Sequence, residues 1–241
     1  ASYGDSEERI GSAGVGDWRV ITKLSIPTKK EEPLDQIIRS QILTSISRLR
    51  LDKLYGVLLH RPMQLLEEFG VEAWNTLLDL RREGVVSKVG FSIYSPRELD
   101  LLWPSFRADI VQAPFNILDR RIIETGWLKT LKSSRVEVHV RSVFLQGLLL
   151  LDAKNRPEKF SKWEGTLQKW DNWLMENGIE ATTAALGFAN SVDEFDRIVV
   201  GVASLKELKD LTKIADFKIS APEELRSEDE GLINPASWGL M

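Results

Sequence analysis

Apolar positions along the chain fall into blocks of two alternating kinds. Short continuous runs that stop at a polar residue or a glycine read as buried strands: Trp18–Leu24 (WRVITKL), Tyr55–His60 (YGVLLH), Val85–Ser92 (VVSKVGFS), Asp109–Gln112 (DIVQ), Val136–Val140 (VEVHV) and Arg197–Gly201 (RIVVG). Between them the apolar spacing becomes helical. Leu34, Ile37, Ile38, Ile42, Ile46 and Leu49 share one face of a helix over Pro33–Leu49, with Asp35 near its start. Further helices are predicted over Leu65–Arg82, closed by Gly84, and over Pro96–Trp103, Arg120–Ser133, Phe160–Glu176, Glu180–Ser191 and Leu205–Ile214. Near the start, Ser6-Glu7-Glu8-Arg9 suits a capped first helical turn. The tail Ser220–Met241 is polar, carries Pro222, Gly231 and Pro235, and is expected to wrap the surface of a single domain spanning residues 1–241.

Strands that alternate with helices imply a parallel sheet covered by helices. The six strands end at Lys23, His60, Ser92, Gln112, Arg141 and Gly201. Parallel strands put all their C-terminal ends on one side, so these six residues are expected to converge there. The fold class predicted is α/β, a parallel (β/α)8 TIM barrel with about six of its eight βα units present. An open doubly wound sheet is the alternative, but its usual glycine-rich loop, GxGxxG or GxxxxGK[ST], is missing.

Composition narrows the chemistry. At 241 residues and 43% hydrophobic, the chain is long enough for one α/β domain. A net charge of −4 without long runs of one sign gives no reason to expect nucleic acid or a membrane surface as partner. Zero cysteine excludes disulfides, thiolate catalysis and thiolate metal sites. No metal site is expected, and the absence of an apolar span suggests a cytoplasmic protein. Of the two histidines, His60 ends a buried strand and is the catalytic candidate, whereas His139 lies among valines and reads as packing. Trp103, Trp127 and Trp163 read as packing before pocket walls.

Tyr3 in ASYGDSEE, Lys23 in ITKL and His60 in LLHRP, followed by GFS, VQAPFN, RSVFLQGLL and VVGVASLKEL, stand in an order that resembles the aldo-keto reductase family. The similarity runs from about Ala1 to Ala215. The family is a (β/α)8 barrel that reduces carbonyls with a nicotinamide cofactor, so the resemblance implies that Tyr3 delivers a proton to the carbonyl oxygen. A tyrosine has an ordinary pKa near ~10 and needs a neighbouring cation to act near neutrality; Lys23 is the implied neighbour and His60 the group that orients the oxygen. The family also has an aspartate five residues before the tyrosine. That position precedes Ala1, so the first strand, first helix and second strand are expected to lie outside this sequence, and the chain alone to be impaired.

The resemblance extends to cofactor contacts. It implies that Ser92 and Gln112 meet the nicotinamide carboxamide, with Ile93 where the family often has asparagine. Arg141 stands where many members have an aromatic ring; it is expected to stack on the nicotinamide or to meet an anionic substrate or phosphate. Ser142, Leu145 and Gly147 would line the pyrophosphate, and Gly201 and Ser204 the adenosine end. Glu207, beside Lys206, falls at a site where NADP-specific members place cations, so NADP is the family default and NAD the alternative. RSVFLQGLL and the closing LINPASW resemble a bacterial subgroup associated with cell-surface sugar pathways. The expected partner is a small carbonyl substrate, sugar-like in that subgroup, bound by a monomer. Two competing functions are a non-catalytic nucleotide-binding barrel with a regulatory role, and a phosphate-binding barrel isomerase or lyase; the last explains neither Tyr3 nor Lys23.

Overall fold

In the computed structural model, which describes residues 4–27 and 32–240, strand-period and helix-period blocks become strands and helices in the expected order. The elements are α1 (Ser6–Ala13), β1 (Ile21–Leu24), α2 (Leu34–Leu49), β2 (Leu54–Leu59), α3 (Gly70–Arg82), β3 (Val86–Ser92), α4 (Arg97–Leu102) and β4 (Ile110–Pro114). They continue with α5 (Arg121–Glu124), α6 (Trp127–Ser133), β5 (Glu137–Arg141), α7 (Glu164–Asn177), α8 (Ala181–Asn190), β6 (Arg197–Ile198), α9 (Leu205–Lys213) and α10 (Glu230–Ile233). The strands join in one sheet in the order β1-β2-β3-β4-β5-β6. The pairings β1–β2, β2–β3, β3–β4 and β5–β6 are parallel. This is the strand succession of a (β/α)8 barrel, with six βα units in the described residues.

Contacts cluster into two compact units, one of residues 1–93 and 97–112, the other of residues 94–96 and 113–241. In the first unit β2 and the second half of β3 are buried on both faces, which is why they read as continuous apolar runs. Val57 and Leu59 pair with Val89 and Phe91. On that face Phe91 meets Trp74 of α3 with ring centroids 5.2 Å apart. The opposite face carries Gly56, Leu58, Gly90 and Ile110, linked by the pairs Leu58↔Gly90 and Gly90↔Ile110. Strands crowd most closely at Gly90, where an added Cβ would lie 1.9 Å from the Ile110 carbonyl oxygen. α1 docks on the end of α2 through Gly11, whose added Cβ would lie 2.2 Å from Arg48 O. Buried Glu7 of α1 accepts a 2.7 Å hydrogen bond from Thr22 Oγ1.

In the second unit Phe115 stacks on Phe188 at 5.3 Å and meets Phe195 edge-on at 4.8 Å. Trp170 is fully buried and donates its Nε1–H to Leu149 O at 3.0 Å. The tail lies along this unit. Arg120 Nη2 donates to Pro222 O at 2.8 Å, Ser227 N to Leu118 O at 2.8 Å, and Trp163 Nε1 to Asp229 Oδ2 at 2.6 Å, while Leu225, Leu232 and Ile233 are buried.

Several boundaries differ from the sequence reading, each for a local reason. The helix expected from Leu65 begins at Gly70, preceded by a 3₁₀ turn over Pro62–Leu66, because the chain folds back until a Cβ at Gly70 would lie 2.0 Å from Leu65 O. The helix expected over Arg120–Ser133 is two helices, broken at Gly126, whose φ of 77° is left-handed. A 3₁₀ stretch, Glu158–Trp163, replaces the first turns of the helix expected from Phe160. Of the strand expected over Arg197–Gly201, only Arg197–Ile198 pairs, and Val199 N adds one further bond to Val140 O.

Candidate active site

Register places the candidates of the first unit. Lys23 pairs with Leu58 and Leu24 with Leu59, and His60 N donates to Leu24 O at 2.8 Å. Side chains alternate along a strand, so Lys23 lies on the face of Leu58, Gly90 and Ile110. One step further, the same face carries His60, Ser92 and Gln112; Ser92 pairs directly with Gln112. Thus the structure brings His60, Ser92 and Gln112 into one row, with Lys23 in the row below. Tyr3 lies outside the described residues.

His60 is half-buried at the first position after β2, and Arg61-Pro62 turns the chain away into the 3₁₀ turn. Ser92 and Gln112 are buried among apolar neighbours. Ser92 Oγ donates to Gln112 Oε1 at 3.5 Å, and Ile93 N donates to Gln112 O at 2.9 Å. A hydroxyl beside a carboxamide offers both donors and acceptors, the complement of an amide ligand.

In the second unit Arg141 ends β5. Its Nη1 donates to Ser142 Oγ at 3.1 Å, and its guanidinium carbon lies 4.9 Å from the centroid of the Tyr94 ring. Ser142 is left-handed (φ 62°), and its carbonyl accepts from Asn116 Nδ2 at 3.1 Å. Asn116 Oδ1 in turn accepts from Leu118 N and Asp119 N at 2.9 and 3.0 Å. Three consecutive left-handed residues follow in the loop after Ser142: Leu145, Gln146 and Gly147, with φ of 46°, 54° and 86°. Left-handed backbone is costly for a leucine and a glutamine, so the loop is held in a strained conformation.

Behind these residues lies a buried ion pair that the sequence reading missed. Asp119, fully buried, accepts from Arg121 Nε on Oδ1 and from Arg121 Nη2 on Oδ2, both at 2.8 Å. Arg121 Nη2 also donates to Tyr94 O at 3.2 Å, and Nη1 to Glu230 Oε1 at 3.0 Å. Burial pushes the Asp119 carboxyl upward against the pull of the Arg121 fork. The available signal was three polar residues, Asn116, Asp119 and Arg121, just after an apolar strand; their partners are distant in sequence.

Gly201 is exposed, and an added Cβ there would meet open space. Ser204 caps the start of α9, and Glu207 reaches back to the residue before the cap. Ser204 Oγ accepts from Glu207 N at 3.2 Å, and Glu207 Oε2 accepts from Ala203 N at 2.7 Å. His139 is buried within β5, 3.2 Å from Glu137 Oε2, and burial holds its pKa below the ordinary value. Trp103 and Trp163 are buried, as a packing role requires. Among the described residues no helix is long and apolar enough to cross a membrane.

The family model described as Aldo/keto reductase family matches residues 1–227. Among solved structures, the holo form of aldo-keto reductase AKR11C1 from Bacillus halodurans matches with a TM-score of 0.71 at 22% identity, over 91% of this chain and 74% of that one. Its apo form matches with a TM-score of 0.70 at 21% identity, over the same shares. PA4992 from Pseudomonas aeruginosa, named for the same family, matches with a TM-score of 0.62 at 19% identity, over 89% and 73%. No curated protein matches the chain.

Proposed function

The chain belongs to the aldo/keto reductase family, a family of oxidoreductases, and from that premise we propose that it reduces an aldehyde or ketone with NADPH, NADH being the alternative donor. The observation that carries this reading is the row of His60, Ser92 and Gln112 with Lys23 one row below, on one face of a parallel sheet. The nicotinamide cofactor supplies the hydride when bound. The residues fit such a group: the Ser92–Gln112 pair matches a carboxamide. Arg141 presents a planar group to a nicotinamide ring. Ser142, Leu145 and Gly147 form the loop assigned to the pyrophosphate, and Gly201 and Ser204 meet the adenosine end. Glu207 disfavours a 2′-phosphate and accepts readily from a ribose hydroxyl, which is what keeps NADH in play.

In this reading Tyr3 delivers the proton to the carbonyl oxygen. Lys23 stabilises the tyrosinate left behind, and thereby brings the phenol into the range where it can act near neutrality. His60 donates a hydrogen bond to the carbonyl oxygen and fixes its approach. The substrate is a small carbonyl compound, sugar-like by the likeness of the RSVFLQGLL segment, and the protein works as a cytoplasmic monomer in a bacterial cell.

The test follows NADPH and NADH oxidation with a panel of aldehydes and ketones, alongside nucleotide titration by tryptophan fluorescence. Tyr3→Phe and Lys23→Met are expected to lower kcat by about 10²-fold or more while nucleotide binding persists, as loss of general acid catalysis does. In a chain extended upstream of Ala1, nucleotide binding without turnover of any carbonyl would favour the non-catalytic binding protein; no binding of either nucleotide would sink both readings.

A further inference from the structure

Where β4 and β5 end, Phe115 N donates to Arg141 O at 3.0 Å. The residues that follow, Asn116 and Ser142, are joined by a side chain instead. Asn116 is fully buried; its Nδ2 donates to Ser142 O at 3.1 Å, and its Oδ1 accepts from Leu118 N and Asp119 N at 2.9 and 3.0 Å. One amide thus ties the turn after β4 to the carbonyl at which the chain leaves β5. A buried amide is costly unless it is hydrogen-bonded, and this one is bonded through both its nitrogen and its oxygen.

The same Ser142 carbonyl accepts a second bond, from Leu145 N at 2.8 Å. Leu145 opens the left-handed run Leu145, Gln146 and Gly147, and Gly147 N donates back to Phe144 O at 2.9 Å. Leucine and glutamine abandon this backbone form when nothing holds them, because the Cβ crowds the carbonyl that follows. The far end of the turn is held at Leu149 O, which accepts from Trp170 Nε1 at 3.0 Å. Leu145, Leu148 and Leu149 are buried, and Gln146 is exposed. The run is therefore a strained turn gripped at both ends, with Asn116 behind the near end. Strain that the surroundings maintain marks a place where the backbone shape is used. A shape fixed before a ligand arrives spares the cost of ordering it on binding.

We infer that Asn116 is a positioning residue of the nucleotide site: through the Ser142 carbonyl it holds the left-handed turn 145–147 in the form that receives the nucleotide phosphates, an inference that rests on the reductase reading. Every tie in this chain of contacts lies within the second unit.

The experiment titrates NADPH against tryptophan fluorescence in the chain extended upstream of Ala1, as the unsubstituted protein, N116A, Q146G and the double variant, with circular dichroism checking each fold. N116A should raise the Kd for NADPH about tenfold, the scale of one hydrogen bond, and raise KM for NADPH with kcat nearly unchanged. Adding Q146G should recover part of that affinity, since glycine takes the left-handed form without strain. A role confined to stability would lower Tm and leave the Kd of the folded variant where it was. Hydrogen exchange without nucleotide gives a second readout: the Leu145 and Gly147 amides should be protected in the unsubstituted protein and exchange about tenfold faster in N116A. An unmoved Kd in folded N116A, or a loss that Q146G does not lessen, overturns the inference while the reductase reading stands. Unprotected Leu145 and Gly147 amides in the unsubstituted protein overturn it whether or not N116A folds. No binding of NADPH or NADH by the unsubstituted protein sinks the nucleotide reading, and the inference with it.

Discussion

At the scale of single residues, the two histidines show how burial sets a role. His60 is half-buried at the first position after β2, whereas His139 is buried within β5. Desolvation lowers the His139 pKa first of all; Glu137 and Asp196 pull it back up, and Arg197 adds to the lowering. A histidine whose folded pKa is depressed binds its proton more readily when unfolded. Its contribution to stability is therefore complete above the ordinary value near ~6.5 and is lost as pH falls below it. Chemical denaturation of H139Q from about pH 7 to 5 should show a shallower loss of stability with acid than the unsubstituted protein, by up to about 1.4 kcal/mol per pH unit. Equal slopes would mean that His139 keeps its ordinary pKa in the folded chain. Residues of this kind are partly legible in sequence, because a histidine flanked by valines in a strand announces its burial. Arg141 was legible in position, whereas the Tyr94 ring against it and Asn116 against the Ser142 carbonyl come from segments far along the chain, which local periodicity does not register.

At the scale of elements, β2, β4 and the second half of β3 were readable because both their faces are buried, and the strand runs stop where a polar residue takes over. Lys23, His60, Ser92 and Gln112 were found by that rule, and the register confirms that they share one face. Helix boundaries were less readable, since Gly70 and Gly126 act through close backbone approach and a left-handed turn respectively. The buried Asp119–Arg121 pair escaped for a similar reason, as its further partners include Tyr94 and Glu230. The spacing of β3 against β4 offers a graded test. An added methyl at Gly90 meets the Ile110 carbonyl oxygen at 1.9 Å, a backbone atom, whereas one at Gly56 meets Ile110 Cδ1 at 3.0 Å, the mobile end of a side chain. G90A should therefore cost about 3 kcal/mol and roughly 10 °C in Tm, and G56A about 1 kcal/mol. Because Gly90 lies in the row of Lys23, next to the row of Ser92, G90A should also lower turnover beyond its loss of folded protein. Similar melting of the two variants would show that strand separation there is not fixed by the glycine.

At the scale of the whole molecule, the tail decides how far the second unit can stand without its strap. Residues 220–240 contribute Leu225, Leu232 and Ile233 to the interior, each at 1% exposure or less. Burying such side chains is worth about 1.5–3 kcal/mol apiece, so the three together approach the stability of an ordinary domain. The same segment supplies the carbonyl of Pro222 and the carboxylate of Glu223 to Arg120, a buried arginine whose pKa desolvation lowers, and Glu230 to Arg121. Removing the tail would thus uncover apolar surface and leave two inward-facing guanidinium groups short of partners, which costs more than the apolar area alone. A chain ending at Ile219 is expected to lose cooperative melting. The single substitution L232A, which keeps every polar tie, should cost about 2–4 kcal/mol. Fluorescence reports the strap directly, since Trp163 donates to Asp229 and Trp238 to the Gly231 and Leu232 carbonyls. If the shortened chain melts cooperatively at an unchanged temperature, the tail is a passive cover, and the anchoring of Tyr94 and Ser142 must come from Asp119 and Asn116 without it.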